Sequence, residues 1–235
     1  MRDGQIIVTG GSRGIGAAIV GKLAEAGFTV AVLSRSGDCP AGYGLACDVA
    51  DEASLAAAIR AVAERGSIGG LVNNAGFHEA RPSHQLTVEE FERTMRVNTV
   101  AAVVACREAY PHLKANGGGL IVNMGSFFDK LGVAGNVAYC ASKAAVGAMT
   151  RCLAVEWAGD GIRVLNVAPG YIETDLNRDF LAKPRVKDWL GTRVPLKRPG
   201  QAAEIAELIS TMFERPVGFL TGETIYVDGG QGMNH

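Results

Sequence analysis

Residues 5–16 read QIIVTGGSRGIG, a short apolar run, Gln5–Thr9, that breaks into a turn holding Gly10, Gly14 and Gly16. A run this short, bounded by glycine, suits a strand buried on both faces. Beyond the turn, Ile15, Ile19, Leu23 and Ala26 recur at helical spacing, and Gly27 stops the helix. Residues 28–33 form a second apolar strand. Strand, glycine turn, helix and strand make a βαβ unit, which is right-handed in nearly all proteins. Backbone N–H groups at a helix start attract phosphate, and glycine lets a pyrophosphate approach. The spacing Gly-x-x-x-Gly-x-Gly is a variant of the commoner dinucleotide fingerprint. A tight turn favours glycine even without a ligand, so the turn needs support from elsewhere in the chain.

That support follows in order. Residues 34–45 are rich in Gly, Ser and Pro and read as a loop with no room for a full helix; Ala46 and Cys47 form a third strand. Asp51 caps a helix running to about residue 65. Residues 70–73 form a fourth strand, leading into Asn73-Asn74-Ala75-Gly76. Thr87, with Glu90 in the capping-box position, opens a long helix that fades near residue 116. Residues 120–124 are strand five, 137–158 a helix, 162–167 strand six, 202–213 a helix and 224–227 the last strand. Short apolar strands alternating with helices predict an α/β fold: a doubly wound, Rossmann-type parallel sheet of about seven strands, helices on both faces. No linker or repeat interrupts it, so the 235 residues are expected to form one domain. In such sheets ligands bind beyond the strands' C-terminal ends, where Gly10, Asn73, Ser126 and Pro169 all fall.

Composition excludes several classes. A net charge of -1 gives no electrostatic argument for nucleic acid or an anionic membrane. No apolar run reaches the ~20 residues of a bilayer span. The opening MRDGQIIVTGG lacks a signal-peptide layout, and Cys39, Cys47, Cys106, Cys140 and Cys152 are odd in number and scattered. Together these suggest a reducing, cytoplasmic setting. His78, His84, His112 and His235 lack the spacing of a helical zinc site, so no metal is expected.

Residues 126–143, SFFDKLGVAGNVAYCASK, carry the chemistry. Tyr139 and Lys143 stand four apart on a helix and share a face. An ammonium beside a phenol favours phenolate and lowers the Tyr pKa, which lets the Tyr exchange a proton with a substrate oxygen. Ser126 follows strand five and a loop can return its hydroxyl to the Tyr. Alone, a Tyr and a Lys at this spacing occur by chance in many helices.

Thr9-Gly10-x-x-x-Gly14-Ile15-Gly16, Asn73-Asn74-Ala75-Gly76, Asn98, Ser126, Tyr139-x-x-x-Lys143 and Pro169-Gly170 in this order resemble the short-chain dehydrogenase/reductase family, over residues 5–230. The short 34–45 segment departs from the pattern, since most members have a helix there. The resemblance implies that Tyr139 is the general acid/base, that Ser126 polarises the carbonyl, and that Lys143 holds the nicotinamide ribose and lowers the Tyr139 pKa. It implies that Asn98 positions a water in a proton relay. A cofactor would meet Gly10, Ser12, Arg13, Gly14, Ile15 and Gly16 in the turn. Asp48 and Val49 would contact the adenine; Asn73, Asn74, Ala75 and Gly76 would line the cofactor site and support the sheet. Pro169, Gly170, Ile172 and Thr174 would meet the nicotinamide end with Tyr139 and Lys143. Asp48 before a helix start also suits an ordinary cap, and Asn98 a plain helix polar residue.

An acid at the end of the second strand binds the 2′-hydroxyl of NAD. Here that end reads Leu33-Ser34-Arg35-Ser36, and Asp38 comes too late. Arg35 and Arg13, with the hydroxyls of Ser34 and Ser36, suit the 2′-phosphate of NADP rather than NAD. The family likeness also implies a substrate lid at about residues 171–200 and a homotetramer built on the two long helices, with Val103, Val104, Met149 and Trp157 as contacts. The small-molecule substrate is a carbonyl or alcohol. Overall the chain looks like 3-oxoacyl-[acyl-carrier-protein] reductases. Those enzymes commonly carry basic carrier-docking residues where Gly117 and Asp160 stand here. Residues 188–196 look somewhat like gluconate- and polyol-type dehydrogenases. A non-catalytic dinucleotide-binding protein is the alternative of another class, opposed by the complete Asn98, Ser126, Tyr139 and Lys143 set.

Overall fold

The computed structural model describes residues 4–175 and 177–233. The strands are β1 (Gln5–Thr9), β2 (Val30–Ser34), β3 (Tyr43–Ala46), β4 (Ile68–Asn73), β5 (Gly119–Met124), β6 (Ile162–Pro169) and β9 (Thr224–Val227). They form one sheet in the order β3-β2-β1-β4-β5-β6-β9, every pair parallel. The order reverses at β1, between β2 and β4, which opens a crevice above the carboxyl end of β1.

Both faces are covered, as near-continuous apolar strands require. On one face Ile7, Leu71, Ile121 and Val164 pack with Leu55 and Ile59 of α2 (Glu52–Ala63), Ala105 and Leu113 of α4 (Ala101–Ala115), and Trp157 of α5 (Val137–Trp157). On the other, Val8, Val72, Val122 and Leu165 meet Ile19 and Leu23 of α1 (Gly14–Glu25) and Ile205, Ile209 and Phe213 of α8 (Ala202–Glu214). Burying each such side chain contributes about 1.5–3 kcal/mol, which fixes the sheet that carries the site.

Two expectations change, and one pairing is new. The third strand begins at Tyr43, inside the segment expected to be loop, because Tyr43, Gly44 and Leu45 pair with Ala31, Val32 and Leu33. A side chain at Gly44 would overlap the Gly37 carbonyl, so this glycine serves a close approach rather than a loop. The long helix is not continuous: α3 (Val88–Met95) passes through a π-turn, Arg96–Val100, into α4. Its start is as expected, with Thr87 and Glu90 making both halves of the capping box. Finally, a small second sheet joins β7 (Ile172–Glu173) to β8 (Gly200–Gln201). That pair closes the base of the segment holding α6 (Arg178–Leu181) and α7 (Pro184–Arg193).

Candidate active site

The glycine turn follows β1 and is tied down by β4's exit. Asn74 Nδ2 donates to the carbonyls of Thr9 and Gly10 at 3.1 and 3.0 Å, and Thr9 Oγ1 accepts from Asn74 N and Ala75 N. A side chain at Gly16 would overlap the Gly10 carbonyl and the Asn74 amide. The turn is therefore packed from behind and open in front. In front lies a cavity of about 670 Å³, lined by Gly10, Ser12, Arg13, Gly14, Ile15, Gly16, Ser34, Arg35, Asp48, Val49, Asn74, Ala75, Gly76 and Thr174. Phe77, Arg93 and Val97 line it too and were not anticipated. Phe77 directly follows Gly76, while Arg93 and Val97 precede Asn98 on the same helical stretch, so proximity to those motifs was the available signal. Asn73 is absent from the lining. It is buried, and its amide donates to Asn123 Oδ1 at 2.9 Å and to Cys106 Sγ, supporting the sheet alone.

The adenosine end shows arginines without a competing acid on β2. Arg13 and Arg35 are exposed at the cavity wall. The hydroxyls expected beside them are occupied: Ser34 Oγ accepts from Gly37 N at 3.1 Å, and Ser36 Oγ accepts from Asp38 N at 3.2 Å. Ser34 is buried but still lines the cavity, whereas Ser36 does not. Asp48 turns its carboxylate onto Ala50 N. Glycines without room for a Cβ, a cavity of this volume and two free guanidiniums fit a phosphate-bearing dinucleotide.

Ser126, Tyr139 and Lys143 come together behind Gly76; Tyr139, Lys143, Pro169 and Gly170, expected to meet the cofactor, do not line this cavity. Ser126 follows β5, is buried, and hydrogen-bonds the Tyr139 phenol. Lys143 sits on α5 with its Nζ 5.7 Å from the Tyr139 ring centre, donating to Met124 O at 2.8 Å. Burial holds the Lys143 ammonium down at about 8. Burial pushes the Tyr139 phenol up, and the Ser126 hydrogen bond pulls it partly back. The expectation that Lys143 depresses the phenol is thus not what this arrangement displays; desolvation outweighs it.

Asn98 lies in the π-turn and is buried. Its Oδ1 accepts from Phe77 N at 2.9 Å, and its Nδ2 donates to Phe77 O and Ser142 Oγ at 3.0 and 3.1 Å. It therefore clamps the loop after β4 to the Tyr-bearing helix. Asn98 Oδ1 and Lys143 Nζ both lie within 4 Å of the point a side-chain carbon would take on Gly76. Pro169 ends β6, and Gly170 N donates to Val227 O at 3.0 Å. Ile172 is buried at a small cavity beside Tyr171, not in the dinucleotide cavity.

Among the described residues no group of three or more His, Cys, Asp or Glu is arranged to hold a metal. His235 lies outside the described residues. No helix among them is long and apolar enough to cross a membrane.

A glycine cradle at a Rossmann crevice with Ser, Tyr and Lys gathered behind Gly76 defines a class, and the chain belongs to the short-chain dehydrogenase/reductase family. The family model described as enoyl-(acyl carrier protein) reductase matches residues 10–232. In particular, the chain is 36% identical over 232 residues to 3-oxoacyl-[acyl-carrier-protein] reductase MabA of Mycobacterium tuberculosis, covering 98% of this chain and 93% of that one. It is 34% identical to glucose 1-dehydrogenase of Gluconobacter oxydans, covering 96% and 91%. The crystal structure of a gluconate 5-dehydrogenase from Burkholderia cenocepacia in complex with NADP and tartrate superposes with a TM-score of 0.91 at 30% identity, covering 100% of this chain and 97% of that chain.

Proposed function

We propose that this chain is an NADP(H)-dependent oxidoreductase interconverting a ketone and a secondary alcohol. The observation that carries the reading is Lys143, with Tyr139 and Ser126 beside it, reaching Gly76, which lines the same cavity as Arg13 and Arg35. NADPH, when bound, supplies hydride to the carbonyl carbon. Tyr139 gives the matching proton to the carbonyl oxygen, and a phenol kept protonated by burial suits that direction. Ser126 donates to the same oxygen and orients it. Lys143 would hold the nicotinamide ribose and return to Tyr139 the proton it gives up. Asn98 joins through a water over Gly76, whose missing side chain leaves the space. Arg35 and Arg13 hold the 2′-phosphate.

The two relatives named above give two substrate types, a 3-oxoacyl thioester and a sugar. Both present the same carbonyl chemistry. Attachment to an acidic carrier protein is disfavoured by Asp160, which pairs with Lys114 at 3.0 Å and accepts from Tyr110. Residues 171–200 serve as lid within a single domain. Five free cysteines suit a cytoplasmic setting. The assembly is a homotetramer; Val100, Val103, Val137 and Val155 are exposed on the helical stretches expected to pair, while Val104 and Trp157 are buried in the chain's own core. Stopped assays of NADPH oxidation with Tyr139→Phe test the chemistry: turnover should fall ~10²–10⁴-fold with NADPH binding kept. Full turnover by that variant would sink it.

A further inference from the structure

Tyr139 is met edge-on by two rings, His78 at 4.8 Å and Phe128 at 5.8 Å between centres. From Phe128 the rings continue to Phe127 at 4.8 Å and Tyr171 at 6.2 Å, and from Tyr171 to Trp189 at 5.2 Å. Aromatic residues are 6% of the chain, so this concentration about one hydroxyl marks a purpose-built surface. Phe127 and Phe128 are buried as its backing. The faces left to solvent belong to His78, Tyr139, Tyr171 and Trp189, the last 40% exposed.

His78 is fixed from two sides. Asn98 holds the backbone of Phe77 just before it. Its Nε2 meets Asn136 Oδ1, and Asn136 is oriented by Nδ2 donating to Ala134 O at 2.9 Å. Nε2 is therefore the donor, and Nδ1 has no hydrogen-bond partner among the described residues. Beyond Tyr171 the surface stops: Leu181, Leu190 and Val194 of the lid are buried and pack on Tyr171 with Val186. A long acyl chain running past Tyr171 would meet that packed cluster. A polyhydroxylated acid would set most of its hydroxyls against ring carbons, with His78 Nδ1, the Tyr171 hydroxyl and the Trp189 indole N–H as the polar atoms these rings add to Ser126 and Tyr139. A hydroxyl set against ring carbons loses water without gaining a partner.

We propose that the site takes a compact ring ketone, alicyclic or aryl, lying against Tyr171 and Trp189 with His78 at its opposite edge, which makes Trp189 and His78 specificity-determining residues. The proposal rests on the ketone–alcohol reading above and narrows its substrate.

The experiment compares kcat/KM with NADPH for 4-methylcyclohexanone, 1-tetralone, 5-keto-D-gluconate and a 3-oxooctanoyl thioester, with NADPH binding measured separately. A ring ketone should lead by at least about tenfold, and whichever ring ketone leads distinguishes alicyclic from aryl. Trp189→Ala should raise KM for that ketone about tenfold, the scale of one aromatic contact, with kcat and NADPH affinity nearly unchanged. Trp189→Phe should restore most of it. His78→Ala should alter the ranking among ketones without altering NADPH affinity. A lead by 5-keto-D-gluconate or the thioester, or an unchanged KM in Trp189→Ala, overturns the substrate class and leaves the reaction class standing. NADPH binding without turnover of any ring ketone does the same. Failure to bind NADPH overturns both.

Discussion

Lys143 Nζ donates to the main-chain carbonyl of Met124, the last residue of the strand that leads to Ser126. This bond ties the Tyr-bearing helix to the strand that presents Ser126, and it holds an ammonium in a site where burial lowers its pKa to about 8. The folded-state value lies below the 10.5 of an unperturbed lysine. Between pH 8 and 10.5 the unfolded chain therefore binds more protons than the folded one, and stability rises with pH. Below that window the burial cost is fully present. The stability of wild type relative to Lys143→Met should thus increase from pH 8 to pH 10, by about 1.4 kcal/mol per unit at most. Urea midpoints of both proteins at several pH values would show it; a constant difference would refute the buried charge.

Asn98 predicts a structural loss distinct from a catalytic one. Its side chain makes three hydrogen bonds that bridge Phe77 to Ser142. Asn98→Ala leaves buried partners unpaired, each costing about 1–3 kcal/mol. Asn98→Asp keeps the acceptor but loses the donor. Both variants should be less stable than wild type, Asp also because it turns a buried carboxylate oxygen toward the Phe77 carbonyl, read from urea unfolding at neutral pH. Equal stability of all three would mean that the clamp carries no weight.

The strands, both core faces and the order of the motifs were legible because short apolar runs and helical periodicity alternate with few interruptions. What was not legible depended on chain meeting chain. Gly44 reads as loop until Gly37 is known to lie against it. Asn98 marks a π-turn only once its bonds to Phe77 exist. Ser34 and Ser36 look like free hydroxyls, yet each closes its own tight turn. Val104 and Trp157 look like surplus apolar residues; Trp157 stacks on Tyr110 at 4.9 Å, within the core. The aromatic surface joins residues 78, 127, 128, 139, 171 and 189, which no local pattern connects.

The phenol sets the pH profile. Burial raises the Tyr139 pKa and the Ser126 hydrogen bond opposes that. Alcohol oxidation needs phenolate as base, so its kcat/KM should still be rising at pH 10, the ordinary tyrosine value. Ser126→Ala removes the opposing bond and should shift that rise to higher pH, besides lowering kcat. A profile level from pH 8 upward, or one unmoved in Ser126→Ala, would contradict the assignment.

Cofactor preference rests on Arg35. It follows Ser34 at the end of β2 and is exposed at the cavity wall with Arg13. Since the Ser34 hydroxyl donates to Asp38 O at 3.3 Å and Ser36 does not line the cavity, the guanidiniums are the side chains left to meet a 2′-phosphate. A charged hydrogen bond contributes about 1.5–3 kcal/mol, and about 1.4 kcal/mol is tenfold in affinity. Screening at an exposed site takes this toward the lower end. Arg35→Ala should therefore weaken NADPH about tenfold and NADH little. Ser34→Asp can still accept from Gly37 N though it loses the bond Ser34 donates to Asp38 O, while its carboxylate repels the phosphate and can bind a free 2′-hydroxyl. That variant should shift preference toward NADH. The measurement is kcat/KM for both cofactors in wild type and the two variants, with added salt as a check, since salt should narrow the NADPH advantage of wild type. A wild type that prefers NADH, or an Arg35→Ala variant impaired equally with both cofactors, would remove Arg35 from the role.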